Sequence, residues 1–136
     1  MKKSHLTLIA LTAGVAFSMA VQAQTLTKAE YKAEKDKISA TYKTERAACN
    51  SDKGNAKDIC VALAKGKKKV DKANLEERYQ PTEKTRQKAR MAKADADYAV
   101  AKERCDDQPS AAKDKCKAEA KTAHTQAKEE ANTLKK

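Results

Sequence analysis

The 136-residue chain is strongly basic, with 30 Lys and Arg against 19 Asp and Glu, and it is poor in aromatic residues, with four Tyr, one Phe and no Trp. A high net charge combined with so few large apolar residues excludes a globular protein with a large hydrophobic core. Its many Ala, Lys, Glu, Arg and Gln residues are the best helix formers, so the composition favours long helices with little interior over a disordered chain.

The chain begins with a segment typical of a secretory signal peptide, in which two lysines precede an apolar run at residues 6–21. Val21 and Ala23 suit the positions that precede a cleavage site, which predicts a signal at residues 1–23 and a mature chain from Gln24. A retained membrane anchor is the less favoured alternative, because the apolar run is shorter than the ~20 residues of a spanning helix. The style of the signal indicates the periplasm of a Gram-negative bacterium.

The mature chain predicted in this way is a small polycation. Removal of the signal takes away two of the 30 basic residues and none of the 19 acidic ones, which leaves 28 basic residues and a net charge of +9. The remaining 113 residues contain nine Leu, Ile or Val and 22 Ala. Since these residues bury little apolar area, the helices need a further source of stability.

An internal repeat organises the chain, because residues 42–65 recur 56 positions later as residues 98–121. Each copy contains a helical arm, a polar turn between two Cys, and a second arm. The matching residues are Tyr42, Cys49, Ala56, Lys57, Asp58, Cys60, Ala62, Ala64 and Lys65 in the first copy and Tyr98, Cys105, Ala112, Lys113, Asp114, Cys116, Ala118, Ala120 and Lys121 in the second. The repeat predicts an all-α protein of two disulfide-clamped helical hairpins, residues 24–80 and 81–136, forming either a loose four-helix bundle or an elongated, coiled-coil-like rod.

The first hairpin has recognisable helix boundaries. Thr27 followed by Glu30 predicts a capping box at the start of helix 1. A polar, Gly-containing segment at residues 50–55 predicts a turn, and Asn55 with Asp58 is suited to start helix 2.

The two helices of this hairpin carry apolar stripes of matching height. Tyr31 and Tyr79 lie at similar distances along their helices from the Cys residues that flank the turn, and so do Ile38 and Val70. With a rise of about 1.5 Å per residue, two antiparallel helices place Tyr31 beside Tyr79 and Ile38 beside Val70. Gly66 is the expected weak point of helix 2, because Gly costs about 1 kcal/mol relative to Ala in a helix interior. The stripes consist of Tyr31, Ile38, Tyr42 and Cys49 on helix 1 and Ile59, Leu63, Val70, Leu75 and Tyr79 on helix 2.

The second hairpin follows Pro81, which ends helix 2 and places the start of helix 3 near Thr82. Pro109 is acceptable at the first position of helix 4. The predicted seam is mostly Ala, so we expect this hairpin to be the less stable one. The seam consists of Met91, Ala94, Tyr98, Ala101 and Cys105 on helix 3 and Cys116, Ala120, Ala123, Ala127, Ala131 and Leu134 on helix 4.

Four Cys in an exported chain predict two structural disulfides, although three pairings are formally possible. A continuous helix would hold Cys49 and Cys60 about 16 Å apart, beyond the ~7 Å limit for a bridge, so the polar turn between them must reverse the chain. The same holds for Cys105 and Cys116. Each bridge closes a loop of about a dozen residues, which is worth about 3 kcal/mol in the chain-entropy model.

The sequence contains no pattern that predicts catalysis, a metal or a cofactor. Soft or imidazole ligands at short spacing are missing, and His124 is expected to be a solvated surface residue. No Ser has a partnered His, and there is no Gly-rich phosphate loop, so we expect a protein that is not an enzyme.

Charge is the main functional signal. Lys65, Lys68, Lys69 and Lys72 recur at helical spacing and share one face of helix 2, which predicts binding to a polyanion. The bland alternative is a solvated helix face. Because nucleic acid is not expected in the predicted compartment, the candidate partners are lipopolysaccharide phosphates, anionic phospholipid heads and acidic proteins. Further basic residues follow at Lys84, Arg86, Lys88, Arg90 and Lys93.

The exported, Ala/Lys/Glu/Asp-rich helical composition resembles the small Gram-negative envelope proteins described as TolA-like or cell-envelope biogenesis proteins. The similarity is to the long helical stalk of TolA. The paired Cys of each repeat, with their flanking Lys and Asp, are similar to those of the phosphate-starvation-inducible PsiF proteins. This chain has longer helices and a wider repeat spacing than that family, and neither resemblance implies a catalytic residue.

A second functional hypothesis is a structural or chaperone-like interaction protein that binds partner helices, with oligomers possible. Its binding surface would be an exposed apolar stripe. The stripe consists of Tyr31, Ile38, Tyr42, Val70, Leu75, Tyr79, Met91 and Tyr98.

Overall fold

The computed structural model describes residues 25–133, which form four α-helices. The helices are α1 (Lys28–Ala48), α2 (Gly54–Tyr79), α3 (Glu83–Cys105) and α4 (Ser110–Thr133), with one turn of 3-10 helix (Cys49–Ser51) after α1. The predicted all-α fold with two clamped hairpins is confirmed. The predicted signal peptide and Leu134 of the helix 4 stripe lie outside the described residues.

Capping boxes begin both ascending helices. The Glu30 amide donates to the Thr27 hydroxyl at 3.2 Å and the Glu30 carboxylate accepts from the Thr27 amide at 2.8 Å, as predicted. The bonds that the Thr27 amide and the Thr27 hydroxyl donate to the Glu30 carboxylate lower the pKa of Glu30. Thr82 and Thr85 form a second capping box directly after Pro81, so only three residues separate the end of α2 from the start of α3.

The start of α2 differs from the prediction. Asn55 is not its cap: Gly54 is the first helical residue, with a φ of 55°, and no side chain caps the helix. The Asn55 side-chain amide instead donates to the backbone carbonyl of Glu103 at 2.7 Å. This bond connects the first turn of α2 to the last turn of α3. The backbone carbonyls of a last turn have no partner within their own helix.

The four helices lie side by side in chain order, with α2 and α3 in the middle. Among the described residues, the only α-helix that α1 contacts is α2, and the only one that α4 contacts is α3. The hairpins therefore fold together instead of extending as a rod, and they form an open row in which α1 and α4 do not close a bundle. Since the chain reverses after each helix, both disulfide turns lie at one end of the row.

The interior lies mainly between the two repeats, on α2 and α3, whereas the sequence suggested a seam inside each hairpin. Gly66 is buried, and a Cβ added there would lie 3.0 Å from the Cβ of Ala96. The expected weak point is therefore a place where the two central helices approach closely. The buried residues are Cys49, Ala62, Ala64, Gly66, Leu75, Thr85, Ala89, Ala92, Ala94, Ala96, Val100, Cys105 and Ala131.

The predicted pairing of Tyr31 with Tyr79 is confirmed, since their rings stack with centroids 4.4 Å apart. The Tyr31 hydroxyl also donates to the Glu76 carboxylate at 2.7 Å, and this bond to the neutral phenol raises the pKa of Tyr31. The lower stability of the second hairpin and the pairing of Ile38 with Val70 stay predictions.

Both predicted disulfides are confirmed. The bridges Cys49–Cys60 and Cys105–Cys116 each join Cα atoms 5.6 Å apart, which lies in the usual range. Each bridge has one fully buried half, Cys49 or Cys105, in a protein whose interior is otherwise mostly Ala. The clamps therefore compensate for the small apolar area that the helices bury.

Candidate anion-binding surface

The four predicted lysines lie on one side of α2. At about 100° per residue, Lys65, Lys68, Lys69 and Lys72 fall within about 100° of arc. We call this side of the row the lysine face. Their shared orientation follows from spacings of three and four residues along an unbroken helix.

Two of these lysines already have partners inside the protein. The Lys68 ammonium lies 4.1 Å from the centroid of the Tyr42 ring on α1, a cation–π contact. Lys69 forms an ion pair with Asp95 of α3, with Nζ 2.6 Å from Oδ2, while its side chain stays 54% exposed. Both contacts orient the ammonium groups without removing them from solvent, because Lys68 is half-buried and Lys69 is exposed.

Lys65 and Lys72 are exposed and make no ion pair with any of the described residues. Lys65 lines one groove between α2 and α3, and Lys72 lines the next, whose volume is about 770 Å³. Lys88 of α3 lines the second groove opposite Lys72. Carboxylates also line these grooves, namely Asp58, Glu76, Asp95 and Glu103.

The grooves carry equal numbers of acidic and basic groups, and this balance determines which kind of anion the surface can bind. A single small anion would find no enclosed pocket of converging donors, because the lysines are spread along α2 and each groove contains carboxylates. A broad surface that carries many negative charges can instead contact several lysines at once, and contacts of this kind are screened by salt.

His124 is not the solvated residue that the sequence suggested. Its ring stacks on Tyr98 with centroids 4.5 Å apart, and only 17% of the side chain is exposed. Nε2 lies 2.8 Å from Oδ1 of Asp95 and donates to this carboxylate. Asp95 of α3 thus links Lys69 of α2 to His124 of α4. The bonds from Lys69 and His124 both lower the pKa of Asp95, and the bond from Lys69 has the larger effect.

The apolar stripe proposed for partner helices is largely used inside the protein. Tyr31 and Tyr79 stack on each other, Tyr42 contacts Lys68, Tyr98 contacts His124, and Leu75 is 3% exposed. The stripe is therefore wrong as an exposed surface. Its four Tyr pack within the hairpins, whereas Met91 lines the groove between α2 and α3.

Sequence reasoning missed a different apolar surface, on the side of α2 opposite the lysine face. Leu63 is two residues from Lys65 and therefore about 200° around the helix. It is 48% exposed and lies between two shallow hollows near the disulfide end of the row. The sequence indicates this surface only through the four-residue spacing of Ile59 and Leu63, which places both on one side of α2. That spacing does not show whether this side packs against α1 or remains exposed to solvent.

Residues 25–133 contain no cluster of three or more His, Cys, Asp or Glu placed to hold a metal ion. None of the helices in this part of the chain is long and apolar enough to cross a membrane. Comparison with known proteins finds no family model that matches the chain, and no match among curated proteins or solved structures.

Proposed function

We propose that this chain is a non-enzymatic protein of the Gram-negative periplasm, exported through the signal at residues 1–23. In this proposal the lysine face associates with anionic envelope components, namely lipopolysaccharide phosphates, phospholipid heads or acidic proteins. Two disulfides support an oxidising compartment, because such bridges rarely persist in the cytosol.

The observation that carries the proposal is the common orientation of Lys65, Lys68, Lys69 and Lys72 on a single open row of helices. A row that is not closed into a bundle presents a broad face, and α2 alone is about 39 Å long at 1.5 Å per residue. Several lysines can therefore meet an extended anionic surface together. Each contributes about 1 kcal/mol near an anionic membrane at moderate ionic strength.

Co-sedimentation tests this association across a salt series. We expect the oxidised chain to bind lipopolysaccharide and vesicles rich in anionic phospholipid but not neutral vesicles. The bound chain should dissociate as the salt concentration rises, because exposed charges are screened within ~8 Å at physiological salt. A soluble acidic polypeptide forms a separate arm and distinguishes a protein partner from a lipid surface.

A matched pair of variants locates the contact. Replacing Lys65, Lys68, Lys69 and Lys72 by Gln should weaken binding at least about tenfold, with helicity retained. The control replaces four exposed lysines of α1 by Gln and removes the same charge, at Lys32, Lys35, Lys37 and Lys43. Equal binding to neutral and anionic vesicles, or equal loss in both variants, would refute the assignment to the lysine face.

A further inference from the structure

Leu63 is the only large apolar side chain that is exposed among residues 25–133. On one side of it lies a hollow between α1 and α2, lined by Ala48, Ile59 and Cys60. On the other side a second hollow passes over α3 to α4, lined by Val100, Ala101, Cys116 and Ala123. Each hollow has a volume of about 640 Å³, so a protruding Leu stands between two recesses that Leu-sized groups can fill.

The hollows are open and shallow, which suits a protein surface better than a small molecule, whose sites enclose most of the ligand. A knob beside a recess is also self-complementary. When two copies meet around a two-fold axis, Leu63 of each enters a hollow of the other, and the same patch serves both partners. A second copy would also supply a second layer of helices, because stable helical domains usually pack helices in two layers.

Charge favours a second copy on this face over one on the lysine face. The rim of the first hollow carries Glu45 and Lys67, which are ion-paired with each other. Asp97, Arg104 and Glu119 surround the second hollow. The two signs nearly balance here, whereas two lysine faces brought together would repel each other.

The available area is also sufficient. With lengths of about 39 Å and about 35 Å and a width of about 10 Å per helix, α2 and α3 together present about 700 Å², close to the ~800 Å² that each partner buries in a specific interface of standard size. The Ala-lined hollows allow close approach of the two helix layers, and Leu63 supplies a large apolar side chain to the contact.

We propose that the chain forms a two-fold dimer through this face, with Leu63 of each copy seated in a hollow beside Leu63 of the other. Because the lysine face lies on the opposite side of α2, the dimer presents two lysine faces that point away from each other. Such a dimer bridges two anionic surfaces, whereas a monomer binds one.

Sedimentation equilibrium of the oxidised chain over a wide concentration range tests the dimer. We expect reversible dimerisation that survives high salt, since its centre is apolar. Leu63→Lys should raise the dimer dissociation constant at least about tenfold, which is the effect of about 1.4 kcal/mol. Val61→Lys is the matched control: it adds the same charge two residues away, on the side that lines the lysine-face groove.

The variants Ala48→Arg and Ala123→Arg identify the hollow that receives Leu63, because both Ala side chains are exposed and each lines a different hollow. Loss of the dimer in either variant supports the proposal. A monomer at all concentrations, a dimer that dissociates in high salt, or equal weakening by Leu63→Lys and Val61→Lys would overturn it. The bridging consequence depends on the proposed function, and its readout is clustering of anionic vesicles. Clustering that is lost in Leu63→Lys while binding persists separates the two proposals.

Discussion

His124 of α4 stacks on Tyr98 of α3 with ring centroids 4.5 Å apart. The corresponding residues of the first repeat are Lys68 and Tyr42, and there the Lys68 ammonium lies 4.1 Å from the ring centroid. Both hairpins thus place a nitrogen-containing side chain of the descending helix against a Tyr of the ascending helix. The repeat conserves the position of this contact while the chemistry changes from a cation–π contact to a ring stack.

The Tyr98–His124 contact should contribute to the attachment of α4. We expect His124→Ala to destabilise the protein by about 1–3 kcal/mol, since an aromatic pair is worth about 0.5–1.5 kcal/mol and a hydrogen bond a similar amount. His124→Lys should retain more stability, because Lys occupies the equivalent position of the first repeat. Urea unfolding measures both, with Gln126→Ala on the exposed side of α4 as the control. Equal stability of His124→Ala and the control would show that the stack contributes nothing.

Acid should remove the contribution of Asp95. The bonds from Lys69 and His124 lower its pKa in the folded protein. A lowered pKa stabilises the fold above the unfolded value of about 4, and this stabilisation disappears as the pH falls through the folded value. The stability difference between wild type and Asp95→Asn should therefore be largest near neutral pH and shrink in acid. Urea midpoints across pH measure it, and Asp97→Asn, which removes an exposed carboxylate from the same helix, should show a smaller difference. A constant difference at all pH values contradicts the prediction.

Gly66→Ala distinguishes helix propensity from packing. Propensity alone predicts a gain of about 1 kcal/mol from this substitution. The structure predicts a loss, because the new methyl group would lie 3.0 Å from the Cβ of Ala96 and both groups are attached to packed helices. Ala96→Gly should restore part of the stability in the double variant. A stabilised Gly66→Ala protein would mean that α3 moves away without cost.

Removal of the disulfides should release the outer helices before the central pair. α1 contains no buried residue, and Ala131 is the only buried residue of α4, whereas α2 and α3 contain most of the interior. Hydrogen exchange of Cys49→Ser/Cys60→Ser should show lost protection in α1, and Cys105→Ser/Cys116→Ser should show it in α4, each at a cost of about 3 kcal/mol in the chain-entropy model. Uniform loss of protection across all four helices would mean that the row unfolds as one unit. Because the seam of the second hairpin is mostly Ala and buries little apolar area, helicity should fall more in Cys105→Ser/Cys116→Ser than in Cys49→Ser/Cys60→Ser.

The resemblance to TolA-like and PsiF proteins stays a hypothesis about the family. An exported envelope protein, as in the families that it resembles, agrees with the proposed function. Isolation of the chain with its crosslinked envelope partner is the measurement that connects the two.

The local structure of this protein follows from short-range features of its sequence. Helix formers at most positions, the Thr27 capping box, Pro81 and the repeated Cys pairs each act over a few residues. The helices, the chain reversals and both disulfides were therefore predictable. The Tyr31–Tyr79 stack was predictable as well, because a disulfide near the turn sets the register of two regular helices and heights then follow from the rise per residue.

The way in which the two hairpins combine depends on packing between residues that are distant in the sequence. The contact between α2 and α3 uses Ala and Gly66, small residues that occur on every side of these helices and therefore carry no directional signal. Once the chain folds back at Pro81, this close packing determines three features at once: Asn55 reaches Glu103 instead of capping α2, Asp95 meets both Lys69 and His124, and Leu63 stays exposed. Each depends on the side of α2 that α3 covers, and local periodicity does not specify that side when the packing residues are nearly all Ala.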